Sequence, residues 1–153
     1  MNKKYFLNLL TMMMVAMLSV GFTACGDDDD DVTGVAGVES LYGSWQQTRG
    51  VAYEDGDFHH EKKVSADDAE YLRFDKDGNC TVMSGDYGVF DQNGTFSFSF
   101  NEESKSLRAG YQTFVVDGLS NNTLKLKYMY SSDEYILATY KKVSDNVWEK
   151  MPQ

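Results

Sequence analysis

Between residues 41 and 143 apolar and polar side chains alternate. Phe96, Phe98 and Phe100 share one face with Ser97 and Ser99 on the other, while Leu124, Leu126, Tyr128 and Tyr130 oppose Lys125, Lys127 and Met129. A period of two is that of an extended strand with one face toward a core. Turn residues punctuate the pattern: Asp77-Gly78 divides YLRF from CTVM, Asn93-Gly94 divides YGVF from TFSFSF, and SNN at 120–122 divides YQTFVV from TLKLKYMY. Such pairs accept the positive backbone angles of tight hairpins. The pattern predicts eight strands, at 43–53, 70–75, 79–84, 86–91, 95–101, 106–117, 123–131 and 134–143. Residues 54–69, EDGDFHHEKKVSADDA, break the rhythm and read as a long charged loop, with Ser65 placed to cap a short helical turn. Sequential strands joined by short turns favour an up-and-down antiparallel sheet, and closing it removes unpaired edges. The expected fold is all-β, a single antiparallel up-and-down β-barrel of about eight strands.

Composition narrows the partners. The chain has 153 residues, room for one domain with short extensions. Its net charge is −10 and its longer basic runs are pairs such as Lys62-Lys63 and Lys141-Lys142, so it lacks the basic stripe that nucleic acid requires. Nine Phe, ten Tyr and two Trp supply apolar surface for a modest core.

The N-terminus carries a different kind of information. Residues 1–24 run from Lys3 and Lys4 through a mostly apolar stretch to Thr23 and Ala24, the order of a secretory signal peptide. Asn8, Thr11, Ser19 and Gly21 interrupt the run, which argues against a membrane-spanning helix. Phe22-Thr23-Ala24-Cys25 resembles the lipobox of bacterial lipoproteins, and that resemblance implies cleavage before Cys25 and acylation of its sulfur. Two or more acyl chains hold a protein stably at a bilayer. Asp27, Asp28, Asp29, Asp30 and Asp31 follow, and an acidic run so placed resembles the surface-export signal of Bacteroides-type lipoproteins. The resemblance implies a lipid-anchored protein of the outer membrane, displayed at the cell surface. The same aspartates also read as a self-repelling spacer. The divisions expected are a signal peptide at 1–24, the lipidated Cys25 with an acidic flexible linker to residue 40, a barrel at 41–143 and a tail at 144–153.

A second resemblance begins at LYGSW. Gly43-x-Trp45 is similar to the N-terminal signature of lipocalins, in which the Trp packs under the barrel floor and the Gly permits a bend. The segment from Tyr71 to Val82 and the closing YKKV resemble the small lipocalin-like domain of Bacteroides lipoproteins. In lipocalins an arginine near the C-terminal end stacks on the Trp, and no arginine follows Tyr140 here. The resemblance implies binding of a small apolar or amphipathic ligand without covalent chemistry. A filled barrel that docks on other surface proteins or on glycans through its loops is the alternative, and the frequency of Phe and Tyr keeps it open.

Chemical motifs are sparse. With Cys25 acylated, Cys80 has no partner and reads as a buried inert thiol. His59-His60-Glu61 reads as exposed polar loop, not a metal site, and Asp75 to Asn79 as a hairpin turn, not a calcium loop. The carboxylate pairs Glu102-Glu103 and Asp133-Glu134 read as loop charges, so no catalytic residue, metal or cofactor is expected. Tyrosines, with an apolar face and a hydroxyl, suit binding sites. Tyr111, Tyr128 and Tyr130 are the candidate pocket-lining residues.

Overall fold

The computed structural model describes residues 34–150. The leader, Cys25 and the five aspartates lie outside the described residues. Nine antiparallel strands form one sheet: β1 (Gly43–Glu54), β2 (Asp57–Lys63), β3 (Tyr71–Phe74), β4 (Asn79–Met83), β5 (Gly94–Asn101), β6 (Ser106–Ala109), β7 (Gln112–Leu119), β8 (Thr123–Met129) and β9 (Tyr135–Val143). Neighbours along the sheet run β2-β1-β3-β4-β5-β6-β7-β8-β9, and β9 pairs back onto β1. Eight strands therefore close into the expected ring. The ninth, β2, prolongs the wall on one side.

That prolongation follows from β1, which is long enough to serve two neighbours. Its first residues, Gly43 to Gln46, pair with β3, while Arg49 to Glu54 pair with β2. A register shift against β9 between Gln47 and Arg49 marks the change, since an extra residue bends a strand and increases its twist. The segment read as a charged loop thus contains a strand. Its charge is explained by its edge position, because β2 bonds only to β1, and charged side chains with an irregular register discourage further pairing. His59 is the unpaired residue of that irregularity, with Ala52 opposite His60 and Tyr53 opposite Phe58.

Two further corrections concern the middle of the chain. Residues 106–117 are two strands divided at Gly110, whose φ of 60° only a turn accommodates readily. Residues 86–91 form no strand. They belong to a loop, 84–93, that folds inward, for reasons given below.

The lumen is filled by alternate side chains. Trp45, Leu72, Phe74, Cys80, Phe114, Val116, Leu126 and Tyr140 are fully or almost fully buried within one core cluster. Trp45 lies at the floor, where its Nε1 donates to the carbonyl of Leu41 at 2.7 Å. Gly43 has a φ of 114°, and a side chain there would press on Lys142. Lys142 itself places its Nζ 4.8 Å from the Trp45 ring centroid, so a lysine covers the floor tryptophan.

Both ends of the described chain are tied to this floor. Gly34 and Ala36 exchange backbone hydrogen bonds with Leu119, and Val38–Ser40 form a 3₁₀ turn whose Val38 N–H donates to Glu102. The end of the segment read as linker is therefore packed. Residues Asp145–Lys150, read as a tail, form a second 3₁₀ turn. Its Trp148 donates to Ser44 Oγ, which in turn donates to Asp145.

Candidate functional site

The end of the ring opposite the floor is its mouth, formed by the upper ends of the strands and by residues 54–57, 64–70, 84–93, 110–111 and 130–134. Here β2, β1, β9 and β8 rise above the rest as a four-stranded wall. Register fixes which residues share its inner face. Tyr128 lies opposite Ile136, Ile136 opposite Ala52, and Ala52 opposite His60. One step deeper the row reads Leu126, Ala138, Gly50, Lys62. Strand alternation puts both rows on the core side, since Leu126 and Ala138 belong to the buried cluster. The middle of the wall is thus made of Gly50, Ala52, Ala138 and Ile136, with an aromatic at one side and basic side chains at the other.

The three tyrosines singled out from the sequence come together here. Tyr128 is half-buried, while Tyr111 and Tyr130 remain 60% and 63% exposed. The Tyr128 and Tyr130 rings meet edge to face at 5.0 Å, and Tyr128 packs on Phe114 at 5.6 Å, which packs on Phe90 at 4.5 Å. Edge-to-face and tilted contacts of this kind align the positive ring edge with a negative ring face. Asp91 joins the cluster, with the Tyr111 hydroxyl donating to its Oδ2 at 3.4 Å. Desolvation, followed by the Asp91 charge, raises the Tyr111 pKa; desolvation, then Tyr128 and Asp91, raises that of Tyr130.

Loop 84–93 forms the floor of this mouth. A strand there would find its partners in a neighbouring ladder; this loop finds them in buried side chains instead. Glu70 accepts hydrogen bonds from the N–H groups of Val89 and Phe90 at 3.2 and 3.0 Å. Gln112 accepts from the Asp91 N–H and donates to the Val89 carbonyl, and Gln47 donates to the Tyr87 carbonyl. Three buried polar groups therefore hold five backbone groups, and Val89 and Phe90 are pressed into the core. Gly88 is required at the closest approach, because a methyl group there would overlap the Glu70 carboxylate.

Glu70 is the unexpected residue of the molecule. It is 0% exposed, and the Tyr140 hydroxyl also donates to it, at 2.6 Å. Burial raises its pKa from 4.5 to about 7 against the opposing effect of these hydrogen bonds. The sequence hinted at its companions: Gln47 keeps the alternation of Trp45, and Gln112 that of Phe114 and Val116, so both had to point inward. Glu70, immediately before the apolar run YLRF, carried no comparable signal.

Other candidates do not converge. His59 lies 3.5 Å from Glu54, and among the described residues no group of His, Cys, Asp or Glu is arranged to hold a metal. Asp75 is a turn residue whose carboxylate accepts from the N–H groups of Asp77 and Asn79. Burial pushes the Cys80 thiol well above its ordinary range, the opposite of activation. A groove of about 440 Å³ between residues 66–71, 83–86 and the C-terminal 3₁₀ turn lies on the outer face, away from the tyrosines. Comparison of the chain with protein-family models, curated proteins and solved structures gives no match.

Proposed function

We propose that the protein is a lipid-anchored outer-membrane protein, displayed at the cell surface, whose barrel mouth holds a small amphipathic molecule without chemical conversion. The observation that carries this reading is the gathering of Tyr111, Tyr128 and Tyr130 around Asp91 at the mouth. Exposed aromatic rings beside small apolar residues offer an apolar surface, and the phenol and carboxylate groups can orient a polar one. The lipocalin resemblance of Gly43-x-Trp45 agrees with it in kind. It differs in depth: the lumen below loop 84–93 is occupied by the protein's own side chains, so the ligand would sit above that loop.

The anchor rests on the sequence of residues 1–31. Residue 34 joins the ring at the floor, and the three tyrosines stand at the opposite end. Docking on another surface protein or on a glycan is the second reading, favoured by the filled lumen together with the exposed Phe58, Tyr111 and Tyr130.

Mass spectrometry of small molecules that copurify with the full chain tests the first reading. A bound species present on the wild type and lost from Tyr128→Ala and Tyr130→Ala supports it; identical extracts from all three exclude the mouth. Replacing Cys25 with Ala should release the protein from membranes, and protease treatment of intact cells should remove a surface-displayed barrel.

A further inference from the structure

The inner wall of the mouth contains a charge with no countercharge. Lys62 is half-buried on β2, one step from Gly50 and on the same face as Ala138 and Leu126. Its Nζ donates to the Tyr87 hydroxyl at 2.5 Å and lies 4.0 Å from that ring's centroid. No carboxylate stands within ion-pair distance of it among the described residues. Asp68 and Asp86, from residues 64–70 and the loop, are near enough to favour the ammonium form without pairing with it. An ammonium has three protons to donate, and Tyr87 accepts one.

Its place on the wall matters as much as its charge. Neighbouring strands lie about 4.8 Å apart, so Tyr128 on β8 and the β2 row are separated by roughly 14 Å across β9 and β1. Between them, above loop 84–93, stand Ala52 and Ile136; the Tyr87 carbonyl covers Gly50 and Ala138 is fully buried, so the trough is this one shallow row. At the far side of the trough are Tyr128 and Tyr130; at the near side are Lys62 and His60.

Building on the reading of the mouth as a ligand site, we propose that the ligand is an amphipathic anion: its aromatic or apolar body lies in the trough against Tyr128, and its carboxylate takes the free donors of Lys62. A charge-assisted hydrogen bond to a carboxylate carries more energy than the neutral bond that an alcohol accepts. That energy makes Lys62 the specificity residue, selecting an acid over the matching alcohol.

The test is a matched pair of probes, 2-naphthoate and 2-naphthalenemethanol, titrated calorimetrically into the full chain and into Lys62→Met and Lys62→Arg. The acid should bind at least about tenfold more tightly than the alcohol, a difference of about 1.4 kcal/mol. Lys62→Met should bring the acid down to the alcohol's affinity and leave the alcohol unchanged, while Lys62→Arg keeps the preference. Equal binding of both probes to the wild type, lost in Tyr128→Ala, overturns the anion and leaves the mouth reading standing. Absence of binding by either probe at millimolar concentration overturns both. The wild-type comparison decides the matter even where a variant folds poorly.

Discussion

Glu70 turns the seating of loop 84–93 into a measurable dependence of stability on pH. In the unfolded chain its carboxyl titrates near 4.5; in the fold, burial holds the proton to about 7. The native state therefore binds the proton more tightly than the unfolded one, and the stabilisation present below pH 4.5 is lost as the pH rises toward 7. Each unit of difference corresponds to about 1.4 kcal/mol, so ionisation of this one group removes on the order of 3 kcal/mol. The Tyr140 hydroxyl and the N–H groups of Val89 and Phe90 limit the loss, while the negative charge of Asp91 adds to it. Urea unfolding of the wild type between pH 4 and 8, followed by tryptophan fluorescence, measures the slope. Glu70→Gln removes the titrating group, so its curve should be flatter by the Glu70 contribution. At pH 4.5 it should nevertheless be less stable by about 1–3 kcal/mol, since an amide nitrogen would face the Phe90 N–H where an oxygen accepts. Among the described residues, Glu61 and Asp75 have lowered pKa values and act in the opposite direction, at the acid end of the range. Parallel wild-type and Glu70→Gln curves across the window would refute the argument.

Other expectations follow from the same packing. Gly88→Ala should dislodge the loop, seen as faster amide exchange at Val89 and Phe90 with β7 to β9 still protected, because the new methyl meets the Glu70 carboxylate. Trp45→Ala should cost about 3–5 kcal/mol by cavity formation and loss of the bond to Leu41, read as a lower urea midpoint. Cys80 should resist thiol reagents in the native protein and react only after denaturation, the buried thiol being held protonated. Tyr111→Ala and Tyr130→Ala should leave stability within about 0.5 kcal/mol, since both rings are largely exposed, so any loss of binding is a loss at the site.

Wherever alternation was strict and a turn pair stood between strands, element and facing were legible. Phe74, Val82, Phe114 and Leu126 needed only a period of two to be placed inside, and Asp77-Gly78 to be placed at a hairpin. Residues 86–91 failed because backbone groups of Tyr87, Val89, Phe90 and Asp91 bond to Glu70, Gln47 and Gln112, residues 19 or more positions away, which no local pattern encodes. Residues 106–117 failed for a smaller reason: alternation continues across Ala109-Gly110-Tyr111, and only the positive φ of Gly110 reverses the chain. The strand β2 was hidden by its charge, which suits an edge better than a core.

The candidate site divides in the same way. The amphipathic character of Tyr111, Tyr128 and Tyr130 is a property of residue type and could be read directly. That they surround Asp91, that Lys62 faces them across Gly50 and Ala52, and that Glu70 is sealed beneath, depend on the closure of β9 onto β1. Local alternation determined which side chains turn inward, because a pleated strand has only two faces. Ring closure decided which of them meet, because it joins residues distant along the chain and sets the burial that raises the proton affinity of Glu70 and Cys80.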